Sequence, residues 1–319
     1  MKYFIAQFIT LIFLCTCNLY AKPMQHIHFL IPGGRDGGWD ITARGVGEVL
    51  TKSGLLKSVS YENMSGGGGS KAISYLIETA NTQKNTLMIN STPIVIRSLQ
   101  KNFPESFRDL TLIASIITDY QVLAVRHDSS LNTWDDILLA YKTNPKGLKI
   151  GGGSRRGGLD HLVAAQIIKA AGADPKHIRY IPHDAGGRAL AGLLSGEVDV
   201  LSTGFGEVFQ KYQSGEVNII GVTASLPVKE APMIPTFKSF GVNMSFVNWR
   251  GFFGAPGLNP KKVIKMRNTF KSMLSTPEWE SVRTTNGWSN LYKPGVELKT
   301  LLINQEKTIS SVMRELGFL

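Results

Sequence analysis

The 319-residue chain is 43% hydrophobic and 18% charged, the composition of a folded protein and not of a disordered one. Its formal net charge of +11 raises nucleic acid as a partner, but the basic residues are scattered, with no run longer than a pair and no interleaved aromatic platform, so a small anionic ligand is the simpler account. The length exceeds one ordinary core and points to two lobes or one large domain.

Lys2 precedes a mostly apolar run over residues 3–17, and residues 18–21 end on a small residue suited to cleavage after Ala21. Residues 1–21 therefore read as a secretory signal. The apolar run is short for a membrane span, and no second run of ~20 apolar residues follows. Cys15 and Cys17, the two cysteines of the chain, lie in this segment, so cleavage leaves no disulfide and no thiol chemistry. A competing reading is a lipid anchor through Cys17: residues 14–17 loosely resemble a lipobox, though Thr16 fits that motif poorly.

Strand-like runs bounded by turns follow at 27–31, 58–62, 86–90, 120–126, 148–151, 178–181, 198–201 and 218–222. Residues 39–50, 133–141, 161–171 and 186–194 carry apolar side chains at three- and four-residue spacing and predict helices. This βα repetition predicts an α/β fold with a largely parallel sheet, whose ligand sits outside the carboxyl ends of the strands. After Val222, prolines at 227, 232 and 235 interrupt regular structure, residues 248–256 read NWRGFFGAP, and an apolar stripe from Leu298 to Leu316 predicts a closing helix.

Glycine turns stand where strands give way to helices. Residues 32–44 read PGGRDGGWDITAR, and related turns recur as SGGGGSKA at 65–72, GGGSRRGGLDHL at 151–162 and HDAGGRAL, containing Gly186, at 183–190. A helix that opens after glycines leaves N–H groups without intrahelical partners at the positive end of its dipole, which suits an anion. Several such turns facing one cleft hold several carboxylates.

Other chemistries fit less well. GGGGSK has Ser70 where a P-loop needs glycine and Ala72 where it needs a magnesium-binding hydroxyl. Gly67, Gly69 and Ala72 satisfy a dinucleotide fingerprint, yet the acidic residue expected ~20 positions later is absent. Ser154, Asp160 and His161 invite a hydrolase reading, but Arg156 stands where G-x-S-x-G needs glycine, so Ser154 reads as a donor at a helix start and His161 as a packed histidine. The six histidines offer only His26 and His28 at a shared-face spacing, with no third ligand, so no metal site and no cofactor are expected. Arg35, Arg155, Arg156, Arg188 and Arg250 lie in or beside turns, where a guanidinium fork takes a carboxylate in bidentate fashion.

With these turns, the NWRG segment and the export signal, the chain resembles the substrate-binding receptors of the tripartite tricarboxylate transporter family, also called Bug receptors. The resemblance runs over nearly the whole mature chain and rests on residues 32–44, NMSGGGGS at 63–70, GGGS at 151–154, GGRALAGLLSGEVDV at 186–200 and VNWRGFFGAPG at 247–257. The GGWD and NWRG forms look closest to the tricarboxylate branch. It implies a two-lobed periplasmic binding protein, type II-like, with a ligand cleft between the lobes: 22–124 and 225–319 in lobe 1, 125–224 in lobe 2. It further implies a periplasmic, monomeric, non-enzymatic receptor for a small di- or tricarboxylate, working with membrane transporter subunits. Carried onto matching positions, it implicates Gly37, Gly38 and Asp40, Ser91 and Thr92, and Gly153 and Ser154. Asp40 is expected to cap the helix or fix the loop, since a free carboxylate facing another costs energy. Arg35 and Asp36 depart from the small or apolar residues many relatives carry there, which leaves the ligand's identity open. A sensory co-receptor signalling to a membrane kinase and an exported serine hydrolase using Ser154 are the rival readings.

Overall fold

A computed structural model describes residues 24–101 and 103–319; the expected signal segment with Cys15 and Cys17 lies outside the described residues. In chain order the elements are β1 (Met24–Ile31), α1 (Gly38–Lys52), β2 (Leu56–Asn63), α2 (Ser70–Glu78), β3 (Thr86–Ser91), α3 (Thr92–Gln100), β4 (Thr111–Arg126), α4 (Trp134–Thr143), β5 (Lys149–Gly152) and α5 (Leu159–Ala170). They continue with β6 (Arg179–Pro182), α6 (Gly186–Leu194), β7 (Val200–Gly204), α7 (Phe205–Gln213), β8 (Val217–Val222), β9 (Val247–Gly254), α8 (Pro260–Met273), α9 (Pro277–Thr285), β10 (Ser289–Pro294) and α10 (Val296–Glu315).

Each strand and helix expected from the sequence overlaps one of these, but the sheet is mixed and not largely parallel. β1 pairs parallel with β2 and β3, and β5 with β6 and β7. The strands between them run the other way: β9 is antiparallel to β3 and β4, and β4 is antiparallel to β7, β8 and β10. Among the antiparallel segments, periodicity showed β7, β8 and the last part of β4 but not β9, β10 or the first part of β4. β9 is buried along all but its first residue, so it lacks the inside–outside alternation by which a strand is read.

The sheet has two arms that share β4. Residues 111–120 of β4 pair with β9 in the arm β2-β1-β3-β9-β4, and residues 121–124 pair with β7 in the arm β6-β5-β7-β4. Phe29, Ile89, Phe252 and Trp288 form a core on one face of the first arm; Leu76, Phe107, Trp249 and Leu302 form one on the other. In the second arm, Trp134, Ile150, Leu162 and Tyr180 pack with the α5 side, and Leu193, Phe205 and Phe209 with the α7 side.

Two segments tie the arms together. Residues after β8 stay with the second arm, Val228, Ala231 and Ile234 on the α7 side and Phe237, Val242 and Phe246 on the α5 side, before β9 re-enters the first. Helix α10 begins with Leu298 and Leu302 in the first arm's core and ends with Ile309 and Met313 in the second's.

Helix starts fall into two kinds. Away from the gap between the arms, polar side chains cap them: Thr133 and Asp136 form a reciprocal box at α4, and Asn259 and Thr276 cap α8 and α9. α1, α5 and α6 follow Gly37, Gly158 and Ala185 with no side-chain cap. Their first N–H groups are left for something else to satisfy.

Candidate functional site: an anion cradle between the arms

A cavity of about 90 Å³ opens where these uncapped helices meet. Gly33, Gly34, Gly37, Gly38 and Ser91 line it from the first arm, Gly153, Ser154, Ala185 and Gly186 from the second, and Gln121, Asn248 and Arg250 from β4 and β9. Glycine is required here by close approach. A Cβ on Gly37 would stand 3.0 Å from the Ala185 Cβ and 3.4 Å from the Gly186 nitrogen, and one on Gly153 would collide with the backbone at Ala185 and Gly186. The two arms thus approach closely at Gly37, and within the second arm the Gly153 turn packs directly on the start of α6.

A carboxylate already occupies this meeting point. Glu207, in the first turn of α7, accepts a hydrogen bond at Oε1 from the Gly38 N–H at the start of α1, and at Oε2 from the Thr203 hydroxyl and, at 3.1 Å, the Gly204 N–H. A Cβ on Gly186 would meet the same carboxylate. Glu207 therefore bonds the starts of α1 and α7 and lies against that of α6, the geometry of an anion at helix N-termini.

The strands beneath carry more buried charge. Arg250 is 3% exposed, lies 2.9 Å from Asp119 Oδ2 and donates to the Thr42 hydroxyl at 3.2 Å. Burial outweighs the Arg250 guanidinium and pushes the Asp119 carboxyl up to about 6. Asp160, in the first turn of α5, donates its N–H to Ser154 Oγ at 3.0 Å, and the Gln121 amide, turned with its nitrogen toward the carboxyl, donates to Oδ1 at 3.3 Å. Burial, reinforced by the nearby Glu207 charge, pushes its carboxyl up to about 8, so at neutral pH it carries a proton into the cavity wall.

Of the residues singled out in the sequence, Gly37, Gly38, Ser91, Gly153, Ser154 and Gly186 line this cavity together. Ser91 accepts from Trp39 Nε1 at 2.9 Å. Asp40 is buried beside it and fixes the turn: its carboxylate accepts from the Asp36 N–H at 3.1 Å, Arg44 Nε at 2.8 Å and the Asn63 amide at 2.9 Å. Thr92 is fully buried, donating its N–H to Asn248 and accepting from Gln305. Arg35, Arg156 and Arg188 are exposed and line no part of the cavity, and Arg155 lines a neighbouring one. The sequence reading passed over Glu207, Asp119 and Gln121. For Glu207 the signal was available, since Gly204-Phe205-Gly206-Glu207 is one more strand–glycine–helix start.

The hydrolase geometry is absent from the Ser154 surroundings. Ser154 Oγ accepts from the Asp160 N–H at 3.0 Å and meets the Tyr180 hydroxyl at 3.2 Å. His161 Nδ1 accepts from the Gly157 N–H at 3.0 Å, and its ring stacks on Tyr180 with centroids 4.6 Å apart. Burial, aided by the Arg156 charge, holds His161 down at about 4, so it is a neutral packed ring. His26 and His28 bond Ser58 and Ser60 of β2, as in an ordinary strand pair.

Comparison with known proteins agrees with this geometry. The profile of the tripartite tricarboxylate transporter family receptor, TctC, matches residues 42–318. A UPF0065 protein from the tcbD-tcbE intergenic region of a Pseudomonas species is 27% identical over 255 residues, spanning 79% of this chain and 74% of the relative. An adipate-bound protein of Rhodopseudomonas palustris superposes with a TM-score of 0.84 at 18% identity, covering 92% of this chain and 98% of its own. MatC of the same organism, with bound malate, gives 0.80 at 18% identity over 91% and 99%. The fold is that of the periplasmic binding proteins. Matched from residue 42 to residue 318, a stretch that takes in most of both arms, the chain belongs to the tripartite tricarboxylate transporter receptor family, the solute-binding receptors of that transport system.

Proposed function

We propose that the protein captures a small di- or tricarboxylate between its two arms, in the periplasm, and delivers it to the membrane subunits of a transporter without transforming it. The observation that carries the reading is the resident Glu207 carboxylate, bonded by the Gly38 N–H where an uncapped helix begins. A site that holds one carboxylate from within suits one from outside. Gly37, Gly38, Ser91, Gly153, Ser154 and Gly186 supply N–H and hydroxyl donors, Asp40 and Thr92 hold the loops, and Arg250 adds positive potential from below. The malate and adipate held by proteins of the same fold are ligands of this chemical class.

In this reading the arms close on the ligand as two lobes. Their boundary falls between Tyr120 and Gln121, where β4 changes partners, and between Phe246 and Val247. The packing of Phe237, Val242 and Phe246 in the second arm supports a return to lobe 1 after residue 246 in place of the 225 expected from the sequence. The chain acts as a monomer, freed by cleavage after Ala21 or held by a lipid on Cys17. Calorimetry of the mature protein against a panel of di- and tricarboxylates tests the proposal: binding of at least one acid at ~mM affinity or better is expected, and a panel with no binder overturns it.

A further inference from the structure

A second cavity, of about 190 Å³, adjoins the first and shares Trp39, Gly153, Ser154 and Asp184 with it. Two guanidinium groups face it from opposite arms, Arg97 from α3 and Arg155 from the turn between β5 and α5. They flank Gly68, whose φ of +63° turns its backbone between them: a Cβ there would lie 3.6 Å from Arg155 Nε and 3.7 Å from Arg97 Nη2. Arg97 is 7% exposed. Its terminal nitrogens donate to the Gly67 carbonyl, and its buried Nε has no partner among the described residues. Arg155 donates to the neutral Gln100 amide. Among the described residues no carboxylate lies within 4.0 Å of either guanidinium.

Two cations brought together in a part-buried space, with Asp184 on its wall but no carboxylate within 4.0 Å of either among the described residues, disfavour one another. Burial, and then the Arg155 charge, pull Arg97 down to about 10. An anion between them reverses both effects, because guanidinium forks bind carboxylates bidentately and the bonds strengthen away from water.

We propose that Arg97 and Arg155 form a second anion subsite, which takes the distal carboxylate of a ligand whose first carboxylate sits at the starts of α1 and α6. The inference rests on the carboxylate reading above and narrows it. The ligand is an elongated acid with at least two carboxylates, long enough to reach from one cavity into the next, and each end bridges the two arms.

The test is calorimetry on the whole mature protein with straight-chain diacids and their monoacid counterparts, adipate against hexanoate among them. The second carboxylate is expected to tighten binding about tenfold or more, the yield of one charge-assisted pair. In Arg155→Gln the ratio of diacid to monoacid affinity is expected to fall to about one; a change shared by both acids, as from loss of the bond to Gln100, leaves that ratio untouched. Arg155 is only half-buried, so this variant keeps its fold where Arg97→Gln loses it, and circular dichroism checks both. A diacid advantage that survives Arg155→Gln, or none in the parent, overturns the subsite. Should no acid bind, melting in sulfate at matched ionic strength decides: greater protection of the parent than of Arg155→Gln keeps the subsite and discards the carboxylate reading, and equal protection discards both.

Discussion

Glu207 is a competitor built into the cradle. Its carboxylate takes the Gly38 N–H that an incoming acid would use, and its charge stands beside any second carboxylate placed there. Replacing it by glutamine keeps the shape and removes the charge. Glu207→Gln is therefore expected to bind its acid more tightly, by about tenfold for a repulsion on the order of 1–2 kcal/mol. Titration calorimetry reads the change, and an equal or weaker affinity would make Glu207 part of the ligand's own binding set. The sequence reading passed over this residue and named no helix around it. Nothing local indicates that its partner lies 169 positions earlier, and long-range pairing of that kind leaves no trace in periodicity or spacing.

At the level of elements, polar side chains cap α4, α8 and α9, whereas α1, α5 and α6 open at the cavity after glycine-containing turns with no side-chain cap. This made the cradle legible: the turns at Gly37, Gly153 and Gly186 were found from composition and order alone, and the fold brings them to one cavity. What composition did not show is why glycine is needed. At Gly153 the reason is backbone contact with the start of α6. The obstructing atoms belong to main chain and cannot rotate away, so Gly153→Ala is expected to cost about 1–3 kcal/mol in a urea unfolding series. The fold is less legible where strands are buried on both faces. β9 joins the parallel strands of the first arm to β4, yet its run Asn-Trp-Arg-Gly-Phe-Phe-Gly shows neither alternation nor helical spacing, and only its resemblance to family motifs drew notice.

Across the whole molecule, the charges buried beneath the cavity link stability to pH. Asp160 titrates at about 8 in the fold, against an ordinary value of 3.8. A carboxyl raised by folding favours the folded state fully below its unfolded pKa and loses that contribution as pH rises through its folded one. Asp160 is expected to lower the unfolding free energy from about pH 4 to about pH 8 and Asp119 to add a smaller loss up to about 6, while His161, held down at about 4, adds stability as pH rises to its ordinary 6.5, so the net fall in the parent is clearest between about pH 6.5 and 8. Asp160→Asn removes the larger part. Compared with the parent by urea unfolding, it gains on the order of a few kcal/mol at about pH 9 and little at about pH 4; parallel profiles would show that Asp160 does not hold its proton.

The bond from Glu207 to Gly38 runs between the arms, and the bonds from Gln100 to Arg155 and to Gly157 do the same beside the second cavity. The two arms are thus fastened to one another at two points by side chains of the chain itself. An acid that is to reach Gly38 must wait for Glu207 to let go, and that wait is the same whatever the acid's concentration. If the chain captures acids as proposed, uptake at low solute would follow the frequency of encounters, while at high solute it would follow the tempo of the fastening, a ceiling on capture set by one glutamate.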